Sequence, residues 1–258
     1  MGSIFDGLSK MGLGSIDSKD IFEKKDENKN ANKVVIKAAP VLEEKDMLFT
    51  KEYECPICYS KFSNKTVLSG KAKLLSVEED LRQRYERIEP LKYDVVACDK
   101  CGHAALTRFF KPLSAGQRNL VDEQICSNFK GLDDMGQDTY SYEEAFERYQ
   151  LALANSIVKR AKASETAYTC LKAGWLCESW LEDLKKADWP DNALIKKVEG
   201  YEKEFTESAY EGLNKAVSSE MPPICGMDES TVNYLLAVLA LKTGHADVNA
   251  KLLSSIIT

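Results

Sequence analysis

Two short strings, Cys55-Pro56-Ile57-Cys58 and Cys98-Asp99-Lys100-Cys101-Gly102, constrain this chain more than anything else in it. A C-x-x-C turn sets both sulfurs about 2.3 Å from a shared ion, with backbone N–H groups of the turn supporting the thiolates. Two such turns complete a four-coordinate site, so Cys55, Cys58, Cys98 and Cys101 are the candidate metal ligands. Zn2+ is the expected ion, in a structural role, because four thiolates leave no position open for water. Iron in the same ligand set, with rubredoxin-like geometry, is the alternative ion. A redox dithiol is the other reading of C-x-x-C, but such pairs usually sit at a helix N-terminus that lowers one thiol pKa. Here the first pair follows an aromatic-rich strand pattern, and a second pair is present.

The rest of the chain arranges itself around these turns. Phe49 and Tyr53 lead into the first as a strand, and Tyr59 to Val67 returns as its hairpin partner. Tyr93 to Ala97 delivers Cys98, and Ala104 to Phe110 leaves the second turn. The 39 residues between Cys58 and Cys98 are long for a simple ribbon. Ser76 to Arg87 reads as a charged helix or turn, with Leu74, Leu75, Leu81 and Tyr85 available for packing. One shared site in a compact, elaborated zinc-ribbon-like module over residues 47–131 is therefore expected. Residues 1–46 read as a disordered charged tail, because the stretch from Lys24 to Lys33 offers almost no apolar surface to offset its ordering entropy.

From Ser114 onward the pattern turns helical, and residues 132–258 are expected as an α-helical, tetratricopeptide-like domain. Ser114 with Gln117, and Ser141 with Glu144, have capping-box spacing. Ala145, Tyr149, Ala152 and Ser156 trace one helical face, and Tyr168, Leu171, Trp175 and Leu176 another. Trp189-Pro190-Asp191 and Met221-Pro222-Pro223 break the pattern, Leu194 to Val217 forms a helix between them, and Thr231 to Lys242 precedes a Gly244 turn and a last helix to Ile257. The fold class is thus mainly α with a small β-rich zinc-ribbon-like module, ending in tetratricopeptide-like helical hairpins. The last helix leaves a face that another subunit could cover.

Charge narrows the function classes. The net charge is −6, but residues 51–130 carry 14 basic against 11 acidic side chains, and residues 131–258 carry 13 against 21. Four thiolates with one divalent ion take two further charges from the first region, a weak footprint for holding phosphates. Two histidines, His103 and His245, no glycine-rich phosphate loop and no dinucleotide fingerprint give little support to an enzyme. Cys126, Cys170, Cys177 and Cys225 read as buried core cysteines, and Trp175, Trp180 and Trp189 as packing residues. The longest dense apolar run, Tyr234 to Leu241, is too short to span a bilayer, and no secretory pattern opens the chain, so a cytoplasmic location is expected.

The strings YECPICYSKF, RYERIEPLKYDVVACDKCGHAAL and AKASETAYTCLKAGWLCE resemble the bacterial family called domain of unknown function 2225, from about Phe49 to the C-terminus. That resemblance implies a zinc-ribbon-like start followed by tetratricopeptide-like helices. One departure is His103, where similar sequences carry an aromatic such as Tyr, which makes His103 a surface or packing residue rather than a fifth ligand. Together these features point to a non-enzymatic scaffold whose acidic helical half binds a basic segment of a protein partner. The alternatives are a nucleic-acid-binding regulator, using Tyr53, Tyr59, Phe62, Tyr93, Phe109 and Phe110 with nearby lysines such as Lys71 and Lys73, and a thiol oxidoreductase using the C-x-x-C pairs.

Overall fold

The computed structural model describes residues 42–132 and 136–245. Residues 1–41 of the expected 1–46 tail and the expected last helix lie outside the described residues; at the end of that tail Glu44–Met47 form a 3-10 turn, with Glu44 accepting from Tyr93 Oη at 2.8 Å. Three antiparallel hairpins come first: β1 (Leu48–Glu54) with β2 (Lys61–Val67), β3 (Leu74–Val77) with β4 (Gln83–Tyr85), and β5 (Val95–Ala97) with β6 (Ala104–Leu106). Helices come next: α1 (Ala115–Val121), a π turn over Asp122–Cys126, α2 (Tyr142–Val158), α3 (Ala163–Lys186), α4 (Asn192–Ser219) and α5 (Glu229–Lys242). This is a mainly α protein with small two-stranded sheets, as the periodicities predict. Among the described residues no helix is long and apolar enough to cross a membrane.

Local chemistry fixes the helix starts. Ser114 and Ser141 form capping boxes with Gln117 and Glu144, which satisfy backbone donors that a first helical turn leaves free. Asp191 accepts from the N–H groups of Ala193 and Leu194, and Asp228 from Thr231, so the helices after both proline-containing breaks are capped by carboxylates. α3 and α4 pack along one another, with a close approach at Gly212, where a Cβ would stand 2.7 Å from Ala167 Cβ.

The insertion corrects one expectation. The segment Ser76–Arg87 is neither helix nor simple turn: Val77 faces Gln83 across the β3–β4 hairpin, and Glu78 and Arg82 close its loop through Glu78 N–H to Arg82 O at 2.8 Å. Tertiary contacts outweigh the helix-like charge pattern. Asp80, 2% exposed, accepts from Trp175 Nε1 at 2.9 Å and Lys242 Nζ at 2.6 Å. Arg82 donates to Ser179 Oγ and Glu182 Oε1, at 3.2 and 2.7 Å. The hairpin is thereby clamped to α3 and α5, while β3 leaves Leu74, Leu75 and Val77 exposed.

One apolar core runs from the third hairpin into the helices. Val95, Ala97, Ala104 and Leu106 pack with Ala145, Phe146, Tyr149 and Ala152 of α2 and with α3, α4 and α5. Tyr149 Oη donates to the Leu91 carbonyl at 3.1 Å, which ties α2 to the turn that introduces β5. The first hairpin has a separate cluster, in which Phe62 joins the cysteines with Tyr53 and Phe110 packed against it. Of the three tryptophans, Trp175 and Trp180 are core residues, but Trp189 is 93% exposed, a correction to the packing role expected for it. It lies between α3 and α4, where the chain turns outside both helices.

Candidate metal centre

Each cysteine pair closes a hairpin, and the two turns have the same construction. In the first, Glu54 pairs with Lys61, Cys55 N–H donates to Ser60 O, and Tyr59 N–H donates to Cys55 O, both at 3.0 Å. In the second, Ala97 pairs with Ala104, Cys98 N–H donates to His103 O at 2.9 Å, and Gly102 N–H donates to Cys98 O at 3.0 Å. The residue after the second cysteine is left-handed in both, Tyr59 at φ 58° and Gly102 at φ 75°. The sequence explains the repeat: a C-x-x-C turn reverses the chain within four residues, and only a left-handed residue then returns it to the antiparallel partner.

The four sulfurs meet. All lie within 4.8 Å of one another, with Cys55 Sγ 3.5 Å from Cys101 Sγ and Cys58 Sγ 3.7 Å from Cys98 Sγ. A tetrahedral ion about 2.3 Å from each sulfur would space them about 3.8 Å apart, so the donor set fits a metal without rearrangement. Backbone donors face the sulfurs as well, Ile57 N–H reaching Cys55 Sγ at 3.4 Å. Hydrogen bonds with Cys101 and Cys55 hold the Cys98 thiol far below its usual range, while hydrogen bonding to Cys55 and Cys98 pushes Cys101 far above it. Sulfurs this close cannot all carry charge unless a cation sits among them.

The surroundings of the two turns differ. His103, 0% exposed, places Nδ1 3.0 Å from Asn155 Oδ1, and Asn155 Nδ2 donates to Gly102 O and Leu151 O, each at 2.9 Å. Because the amide nitrogen serves two carbonyls, Asn155 Oδ1 accepts, and the imidazole proton belongs on Nδ1. Burial holds the ring down at about 4, so it stays neutral. Of the two roles expected for His103, surface or packing, its burial selects packing. The phenyl ring of Phe129 lies against Gly102, where a Cβ would stand 2.6 Å from it. Around the first turn, Tyr59 is 58% exposed, with the Arg118 guanidinium 5.5 Å from its ring centroid and hydrogen-bonded to its hydroxyl.

A fifth cysteine, Cys126, expected to be buried in the core, is instead partly exposed and packs against this cluster. Cys126 ends the π turn and is partly exposed, as Cys58 is. Burial raises its thiol pKa. No spacing signal marks it, since 24 residues of unrelated pattern separate it from Cys101. Cys170 and Cys177 are core cysteines as expected, whereas Cys225 is only partly buried, its Sγ donating to Ser164 O at 3.3 Å. The aromatics that could have stacked on nucleic acid divide. Phe62 and Tyr93 are buried, Tyr53 stacks with Phe62, Phe110 meets Phe62 edge-on, and Tyr59 stands out into solvent.

Comparison with curated proteins and with solved structures finds no match to this chain. Residues 48–258, which include all four clustered cysteines and every described α-helix, match the sequence model of a family described as an uncharacterized protein conserved in bacteria (DUF2225), and the chain belongs to that family.

Proposed function

We propose that the four cysteines hold one structural Zn2+ and that the protein is a non-enzymatic scaffold in the cytoplasm, its helical half binding a basic segment of a protein partner. The observation that carries the metal assignment is the closed set of four sulfurs, spaced as a tetrahedral ion requires and built on two equivalent turns. Such a site leaves no position for substrate, so its contribution is to folding. In support of the partner role, the helical half is strongly acidic, and the α3–α4 hairpin offers the kind of paired-helix surface on which tetratricopeptide-like modules bind peptides. The bulk of the ribbon's aromatics serve as core, which favours this reading over a base-stacking surface.

Metal content per chain, measured by elemental analysis beside Cys55→Ser and Cys98→Ser variants, tests the first half. One zinc per chain, lost in both variants together with thermal stability, is the expected result. Iron would move the centre to a redox role, and no metal would remove the reading altogether. For the second half, immobilised protein should capture a saturable partner from native lysate, released by salt. Capture of nothing saturable, or of nucleic acid alone, would overturn it.

A further inference from the structure

The long insertion between the two cysteine turns encloses a cavity. Its β3–β4 hairpin, clamped by Asp80 to Trp175 and Lys242, leaves about 470 Å³ between itself, α3, α5 and the turn that introduces β5. That volume is within the range of small-molecule sites, roughly 300–1,000 Å³. Leu81, Leu91, Leu235 and the indole of Trp175 supply apolar walls, and the exposed Gln83 and Thr107 stand where the lining meets solvent. Three charged groups also line it, Glu89, Asp94 and Lys172. Lys172 is paired with Asp94, Nζ to Oδ2 at 3.2 Å, and its ammonium lies 5.5 Å from the Trp175 ring centroid. Glu89 differs. Its carboxylate accepts from Leu91 N–H at 3.1 Å and from Ser179 Oγ at 2.6 Å, both neutral donors. Among the described residues it has no ion-pair partner, because Arg82 and Arg84, whose charges reach it, are paired with Glu182. Burial pushes its carboxyl above the usual range. The cavity thus carries one negative charge without a counter-ion, a cost that an incoming cation would relieve.

We infer that this cavity binds a small primary amine with an apolar body, its ammonium held by Glu89 and its body lying against Trp175, Leu91 and Leu235. Lys172 is committed to Asp94, which leaves the described lining without a free cation. A carboxylate or phosphate would therefore meet two acidic side chains and one ammonium already paired, an arrangement that rejects anions. An ammonium instead makes a charge-assisted hydrogen bond to Glu89, whose oxygens have lone pairs left after accepting from Leu91 and Ser179. The apolar body displaces water from walls that offer it no hydrogen bond. Since Leu81 belongs to the hairpin loop and Trp175 and Leu235 to α3 and α5, the bound amine also bridges the hairpin to the helices, in parallel with the Asp80 clamp. The insertion, which a four-cysteine site does not need, becomes the outer wall of a binding site.

The test is calorimetric titration of the full chain with phenethylamine and, at the same ionic strength, with phenylacetate, which carries the same ring and the opposite charge. Saturable one-to-one binding of the amine is expected, with phenylacetate weaker by about tenfold or more, the difference that one charged hydrogen bond makes. Hydrogen exchange in the presence of the amine should slow over residues 81–94 and stay unchanged over residues 48–67, which locates the site without any variant. Glu89→Gln should lose about tenfold in affinity for the amine, with its unfolding midpoint read alongside to show that the fold is intact. Trp189→Phe, on the exposed turn between α3 and α4, should bind as wild type does. No saturable binding of the amine, equal affinity for the two probes, unchanged exchange over residues 81–94, or full affinity in a folded Glu89→Gln would each overturn the inference.

Discussion

The two cysteine turns share one local structure and inhabit different surroundings. Their hydrogen bonds, hairpin register and left-handed residue coincide, yet β5 and β6 are buried at every position, and β1 is exposed along nearly its whole length. The second turn stands on the helical core, its Gly102 carbonyl and His103 ring held by Asn155 of α2. The first stands on three aromatic rings and the sulfurs. On the proposed reading, identical C-x-x-C turns draw their stability from opposite sources, tertiary packing in one and the shared ion in the other. A metal site need not stabilise its ligands equally.

Metal removal should separate the two most sharply. Structural zinc contributes on the order of 10 kcal/mol of binding free energy, comparable to the whole stability of a domain. Stripping the ion with a chelator is expected to release amide protection across residues 48–67 while residues 95–106 keep most of theirs, as read by hydrogen exchange with mass spectrometry. Equal loss in both hairpins would show that the helical core does not support the second turn by itself.

Next in size is the pair of left-handed residues. Gly102→Ala meets both the strain of φ 75° and the Phe129 ring 2.6 Å from the new carbon, for about 3 kcal/mol of destabilisation. Tyr59→Ala keeps a left-handed side chain in open solvent and should cost about 1 kcal/mol or less. Denaturant unfolding of both variants decides it: similar costs would mean that the packing around Gly102 is slack.

The difference between the turns also marks where the sequence stops being legible. The four clustered cysteines announce themselves because metal geometry would dictate a two-residue gap, and the helix starts because Ser114 and Ser141 carry their partners three residues on. Both signals are local. The β3–β4 hairpin is hidden because its charges, which suggest a solvated helix, are consumed by partners about 100 or more residues away: Asp80 by Trp175 and Lys242, Arg82 by Ser179 and Glu182. Cys126 is hidden for a related reason, since a one-residue change of helical circuit decides which way it faces and no residue type encodes that change. The sequence leaves His103 as either a surface or a packing residue, and its burial and its hold on Asn155 emerge only in the folded chain.

Asn155→Ala probes that hold. It strips a partner from the buried Gly102 carbonyl and from His103 Nδ1, and an unpaired buried polar group costs roughly 1–3 kcal/mol. A loss of about 2 kcal/mol is expected, with zinc content unchanged, because the sulfurs keep their own turn. Thermal unfolding paired with metal analysis reads both quantities. Loss of zinc in this variant would make Asn155 part of the ligand-orienting machinery and erase the distinction between packing and ion as sources of stability.

The smallest effect lies where the first turn is tethered to α1. Arg118→Ala removes the cation–π contact with Tyr59 and the hydrogen bond to its hydroxyl, both at a partly exposed site where such contacts contribute roughly 0.5–1 kcal/mol. Global stability should barely move. The tether nevertheless fixes one end of the segment that carries Cys126, while Phe129 fixes the other, so amide exchange over residues 115–126 should quicken although the unfolding midpoint stays in place. If exchange there is unchanged, the segment is held by the apolar contacts of Val121 and Ile125 against the cysteine cluster, and the first turn owes the helices nothing beyond that shared core.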